Sequence, residues 1–189
     1  SEAKTGLEER LDNLENITVP GVNEAYENAV TDAENALNDA KDAVNDAEEA
    51  LEAGLEDGTL SEEEIEALED AVKDAQDKLD DAEEAIDALP DSDKKDELTG
   101  ELADEQEKLD LVEAEAAVKA AEQAVEAAQD ALTAANNDAF ITPEEVADLQ
   151  AKHDAAEEAL ADANAKVGAL PGSEAKTGLE ERLDNLENI

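Results

Sequence analysis

From Ala29 the chain counts in sevens: AVTDAEN, ALNDAKD, AVNDAEE, ALEAGLE. Val30, Leu37, Val44 and Leu51 recur at one heptad position, and Ala33, Ala40 and Ala47 follow three places on. A further alanine column falls at 29, 36, 43 and 50. An apolar stripe at this spacing is the seam of a helix packed on other helices. Alanine at the contact positions lets neighbouring backbones approach closely and has the best intrinsic helix propensity. The pattern predicts a helix from about Asn23 to Glu56.

The next stretch, SEEEIEALEDAVKDAQDKLDDAEEAIDAL, places Ile65, Leu68, Val72, Ala75, Leu79, Ala82, Ile86 and Leu89 at alternating steps of three and four. Ser61 with Glu64 makes a capping box at its start, and Pro90 stops it. A third segment opens at Ser92 with Leu98, Leu102 and Leu109 on one face. Between Leu102 and Asn137 there is neither Pro nor Gly, and AVKAAEQ, AVEAAQD and ALTAANN carry the heptads on. One unbroken helix is therefore expected from Asp93 to about Asn137, roughly 65 Å long at about 1.5 Å per residue. Gly100 is its weakest point, costing about 1 kcal/mol relative to Ala.

Internal repeats give the organisation. SEAKTGLEERLDNLENI stands at residues 1–17 and again at 173–189, a period of 172 residues. A shift of 81 aligns AVNDAEEAL at 43 with AVEAAQDAL at 124, TLSEEEIEAL at 59 with FITPEEVADL at 140, and IDALP at 86 with VGALP at 167. A shift of 91 aligns Ser1 with Ser92, and the two shifts together make up the 172-residue period. Each 172-residue unit thus holds two related subunits of three helices, because one helix cannot bury its stripe alone whereas three antiparallel ones can. The expected fold class is all-α: two tandem antiparallel three-helix bundles joined by a shared continuous helix, a spectrin-like rod. The first bundle is placed at 23–111 and the second at 112–189. Residues 1–17 are read as the third helix of a preceding, incomplete repeat. ITVPGVN, with β-branched residues, Pro20 and Gly21, is read as a helix-breaking hinge over 18–22. The repeated ends and the missing initiator Met are read as those of a piece of a longer array, with any export signal elsewhere.

Composition narrows the function. Asp and Glu number 57 against 13 Lys and Arg, a formal charge of −44. That charge repels phosphate backbones and anionic lipid, so neither nucleic acid nor membrane is an expected partner. No run approaches the ~20 apolar residues of a membrane span, and no Cys exists for a disulfide or thiolate site. High charge alone would suit disorder, but 41% apolar residues held in register argue for a packed fold.

Candidate chemistry dissolves on inspection. LEDGTLSEEE and NNDAFITPEE resemble the end of a calcium loop, yet Ala53 and Ala134 stand where the first ligand belongs, and Ala139 replaces the turn glycine in the second. These are read as helix–helix turns with Ser or Thr caps, the second reinforced by Pro143. His153 aligns with Val72 and is expected at the edge of the core, with no His or Cys beside it to complete a metal site. Glu105 takes the stripe position of Leu14 and Leu186, which is read as a junction where the core opens to solvent. Asp80, Asp81, Glu83 and Glu84 read as a solvated face. Tyr26 and Phe140 read as core or turn anchors. No catalytic, cofactor-binding or metal-binding residue is assigned, no cofactor is expected, and nothing points to an enzyme.

The pattern AVxxAxxAL, an acidic turn with ITPEEV at 141–146, and ALP at 169–171 followed by SEAKTGLEERLDNL resembles the GA-like helical repeats of large bacterial surface adhesins, the biofilm-associated and RTX-type giants among them. The resemblance is clearest from Ala117 to Asn188 and implies three-helix modules in the stalk of a secreted, cell-surface protein. It implies a structural spacer holding a distal adhesive domain away from the cell. Its partners would be neighbouring repeats of the same chain, with weak self-association through the unpartnered helix 1–17. Two alternatives stand beside it: a module binding a host or matrix protein, and a calcium-responsive stalk segment. Leu7, Leu11, Leu14 and Ile17 would lack a complete core, whereas Leu179, Leu183 and Leu186 should be well buried.

At −44 the folded chain repels itself, and salt screens that repulsion. The melting temperature should rise clearly between low salt and about 0.5 M monovalent salt, measured by circular dichroism. Calcium should add little beyond general screening. A saturable rise with micromolar calcium would favour the calcium-responsive alternative instead.

Overall fold

A computed structural model describes residues 20–136 and 141–187, and every element among them is helix or connecting turn. The helices are α1 (Pro20–Gly54), α2 (Glu62–Asp87), α3 (Asp93–Asn136), α4 (Pro143–Ala169) and α5 (Glu174–Glu187). The heptad seam of α1 lies where its period puts it, with Ala33, Leu37, Ala40, Val44, Ala47 and Leu51 buried. They pack against Leu68, Ala75, Leu79 and Ile86 of α2 and Leu98, Leu109 and Val112 of α3. A second core joins Ala114, Val118 and Ala121 of α3 to Ala163 and Val167 of α4 and Leu179 and Leu183 of α5. The chain is thus two three-helix bundles sharing α3, the all-α architecture that the periodicity predicts.

The turns repeat as the sequence does. Ser61 and Glu64, then Thr142 and Glu145, form reciprocal capping boxes that open α2 and α4. Losing such a cap costs typically about 1 kcal/mol. Ahead of Ser61, Asp57 Oδ1 accepts hydrogen bonds from the Thr59 amide at 3.0 Å and hydroxyl at 2.9 Å, while Gly58 supplies the positive φ of 84°. At the opposite end of each hairpin, Lys95 Nζ donates to the carbonyls of Asp87 and Leu89. Lys176 does the same to Gly168 and Leu170. These lysines satisfy carbonyls that a helix end leaves without partners. The ALP motif and the lysine five or six residues after it are therefore one device, used twice.

The shared helix has an unusual middle. From Leu109 to Val125 no residue of α3 is exposed. Leu109, Val112 and Ala116 serve the first core, whereas Leu111, Ala114, Val118 and Ala121 serve the second. A helix covered on all sides needs apolar or small residues on all sides, and this stretch carries Ala at 114, 116, 117, 120, 121 and 124.

Four expectations change. Residues 20–22, read as part of a helix-breaking hinge, are helical and belong to α1, and 18 and 19 lie outside the described residues. His153 is exposed and not at the core edge, standing on an open groove, while its equivalent Val72 is half-buried against the first core. Leu186 is only half-buried, packed at the edge of the second core beside that groove. Glu105 does not mark an opening to solvent, being 6% exposed. The helix assigned to 1–17 and the anchor Phe140 lie outside the described residues.

Crowding at the doubly covered stretch can be measured. Ala121→Leu should destabilise the chain by about 1–3 kcal/mol through overpacking. Ala103→Leu, on an exposed face of the same helix, should change stability by less than about 0.5 kcal/mol. Urea unfolding followed by circular dichroism compares the two.

Candidate functional site

The residues that distinguish this chain from a lone three-helix bundle lie where the two bundles overlap along α3. From one side the α1–α2 turn reaches past the end of its own core. The Gln123 side-chain amide donates to the Leu60 carbonyl and accepts from the Leu60 N–H, both at 2.9 Å. One amide thus satisfies both backbone groups of a buried residue. Gly54 permits this approach, since a Cβ there would lie 2.7 Å from Leu60 Cδ2. From the other side the α4–α5 turn, with Leu170, Pro171 and Ser173, shares a groove with Asp104, Glu105, Lys108 and Leu111 of α3. There Glu105 is held by Lys108, whose Nζ lies 2.9 and 3.0 Å from its two carboxylate oxygens. The Glu105 contact raises the Lys108 pKa, and the pairing explains how a carboxylate occupies a buried stripe position.

Two ion pairs tie each third helix to its bundle. In the first, Lys41 of α1 meets Glu101 of α3. In the second, Arg182 Nε of α5 lies 2.8 Å from Glu122 Oε1 of α3. Residues 41 and 122 are equivalent under the 81-residue shift, as are 101 and 182, so the second pair is the first with its charges exchanged. Glu101 is held below the usual glutamate range by the Lys41 hydrogen bond and charge. Burial pushes Glu122 up, but the hydrogen bond and charge of Arg182, with Lys119 adding to them, outweigh it and hold its pKa low.

Two grooves flank α3. One, of about 530 Å³, lies between the bundles and is lined by Leu60, Ile65 and Val72 on one wall, Ala116 and Ala120 on the floor and Lys166 on the other wall. The second, of about 730 Å³, opens at the far end of the second bundle between α3, α4 and the end of α5. Leu132, Ile141 and Val146 are its exposed apolar residues, and His153 sits on it 3.5 Å from Glu157.

The turn read as a degenerate calcium loop is a cap: Asp57 is engaged by Thr59, which lowers its pKa. Among the described residues no group of three or more His, Cys, Asp or Glu is placed to hold a metal ion. Tyr26 donates a hydrogen bond to Ser92 Oγ at 3.1 Å, anchoring α1 to the α2–α3 turn. Sequence reasoning missed Gln123 and the exchanged ion pair. The second was readable from the 81-residue alignment, which sets Lys41 over Glu122 and Glu101 over Arg182.

A carboxylate whose folded pKa is depressed contributes stability above its unfolded value, about 4.3, and loses it as pH falls through the folded value. Glu122→Gln should therefore destabilise the second bundle near pH 7, by less than about 1 kcal/mol for a partly exposed pair. The difference from the unsubstituted chain should shrink to nothing as pH falls toward 3, in paired thermal melts at each pH.

No curated protein and no solved structure matches this chain. The model of the GA-like domain family matches twice, over residues 30–108 and 111–189. The boundary between the matches falls inside α3, in the stretch covered from both sides. Together the matches take in most of the chain, which belongs to the GA-like domain family and carries two copies of that domain in tandem.

Proposed function

We propose that the chain is a spacer unit in the stalk of a bacterial cell-surface adhesin, one of several repeats that hold a distal adhesive domain away from the cell. The observation that carries this reading is α3, a single 44-residue helix that belongs to two domains at once. A flexible linker lets domains reorient, whereas a helix packed into both cores resists bending between them. Full or partial cover of every residue from Leu109 to Val125 makes bending there costly, because opening either side exposes apolar surface at about 25 cal/mol per Å². The charge of −44 supports the same reading, since dense like charge keeps neighbouring stalks apart and in solution. Exact recurrence of residues 1–17 at 173–189 supports it too, because a length-setting array can gain or lose whole units without rebuilding a site.

The test is to add or remove whole 172-residue units in the parent protein and measure the reach of its terminal domain by atomic force microscopy. Each unit should change the reach by a constant step of more than about 6 nm, the length of α3 alone. Affinity of the terminal domain for its ligand should stay the same. Loss of ligand binding on removing one unit, with reach unchanged, would show that the units bind and do not space.

A further inference from the structure

The two bundles are copies of one domain, so a position buried in one and exposed in the other marks a missing neighbour. Leu51 is 5% exposed and its equivalent Leu132 is 53% exposed; Leu60 is 5% exposed and its equivalent Ile141 is 52% exposed. Ile65 is half-buried while its equivalent Val146 is exposed. The two bundles differ in what lies beside these positions. In the first bundle α3 runs on beyond Leu109, and Glu113, Ala116, Ala117 and Ala120 face Leu60, Ile65 and Leu68. In the second bundle α5 ends at Glu187, level with Leu186 on the edge of the groove.

The sequence identifies what would fill the space. Residues 173–189 repeat residues 1–17, so wherever the unit recurs the residues following Ile189 read TVPGVNEAYENAVTD, the sequence of 18–32. The 91-residue shift sets Glu113, Ala116, Ala117 and Ala120 over Val22, Ala25, Tyr26 and Ala29, a more apolar set than the one it replaces. In the chain itself this part of α1 is largely uncovered: Val22 is 62% exposed, Ala25 is exposed, and the buried seam starts only at Ala33. Four residues would separate Glu187 from the next Pro20, so the next α1 would start beside the groove.

We propose that the groove at the end of the second bundle is the seat of a second copy: residues 20–32 of the next unit's α1 dock across Leu132, Ile141, Val146 and Leu149. The contact reproduces the covered arrangement within the chain, so that every domain in an array caps the one before it. The inference rests on the array reading of the repeated ends. An array of freely jointed units would fail the following test and still act as a spacer, so the two readings fall separately.

The test compares the 189-residue chain with a two-unit chain in which residues 18–189 follow Ile189 once more. Hydrogen exchange read by mass spectrometry over 125–132 and 144–153 of the first unit should slow by about tenfold or more in the two-unit chain. Val22→Glu in the second unit alone, at a position exposed in the single unit, should return the fast rates. The equivalent stretches of the first bundle, 44–51 and 63–72, should exchange alike in both chains. Equal rates at the groove in the two chains, or protection that survives Val22→Glu, would overturn the proposal. Equal rates would leave the groove to a partner of another kind.

Discussion

A helix that serves two cores has little outward face left, and that constraint shapes everything around it. Between Leu109 and Val125 the first bundle takes one side of α3 and the second takes the other. A large side chain on every face would hold the bundles apart and break the overlap. Alanine resolves this because its methyl group fills the contact without spacing the backbones. It also gives up no rotamer freedom on burial, whereas each leucine loses about 0.5–1 kcal/mol. Larger anchors, Leu109, Val112 and Val118, stand only where a single bundle receives them. The two turns then close over the ends of the overlap, one through Gln123 and Leu60, the other above Glu105 and Lys108.

Charge plays a different part from packing. The described ion pairs are mostly partly exposed, and such pairs are worth about 0–1 kcal/mol each. They are far too weak to offset the self-repulsion of 57 acids, which only the apolar seams and the helix caps can do. What the few cations do is local. Lys95 and Lys176 finish helix ends; Lys41 and Arg182 fix the third helix against its hairpin. Of 13 Lys and Arg in all, these four stand at turns and inter-helix contacts.

Local signals were legible in the sequence, and those set by a distant neighbour were not. The heptads of α1, the capping boxes at Ser61 and Thr142 and the unbroken run through Val118 each depend on residues a few places apart, and each is realised. His153 and Leu186 depend on what packs beside them. Alignment with Val72 implies a burial that the open groove at His153 does not provide. Glu105 looked like a gap because a stripe position held an acid; the covering turn and Lys108 come from packing that periodicity does not encode. Pro20 and Gly21 signal a break by a strong local rule, yet residues 20–22 stand in α1.

The exchanged ion pair has a consequence for how such a chain is made. Tandem domains of similar sequence emerge from synthesis one after another, and their characteristic error is to trade equivalent helices. A third helix from the second bundle laid on the first would set Arg182 against Lys41. That misassembled pairing meets like charge at the position where the native one meets opposite charge, so the polarity of one contact labels which helix belongs to which domain.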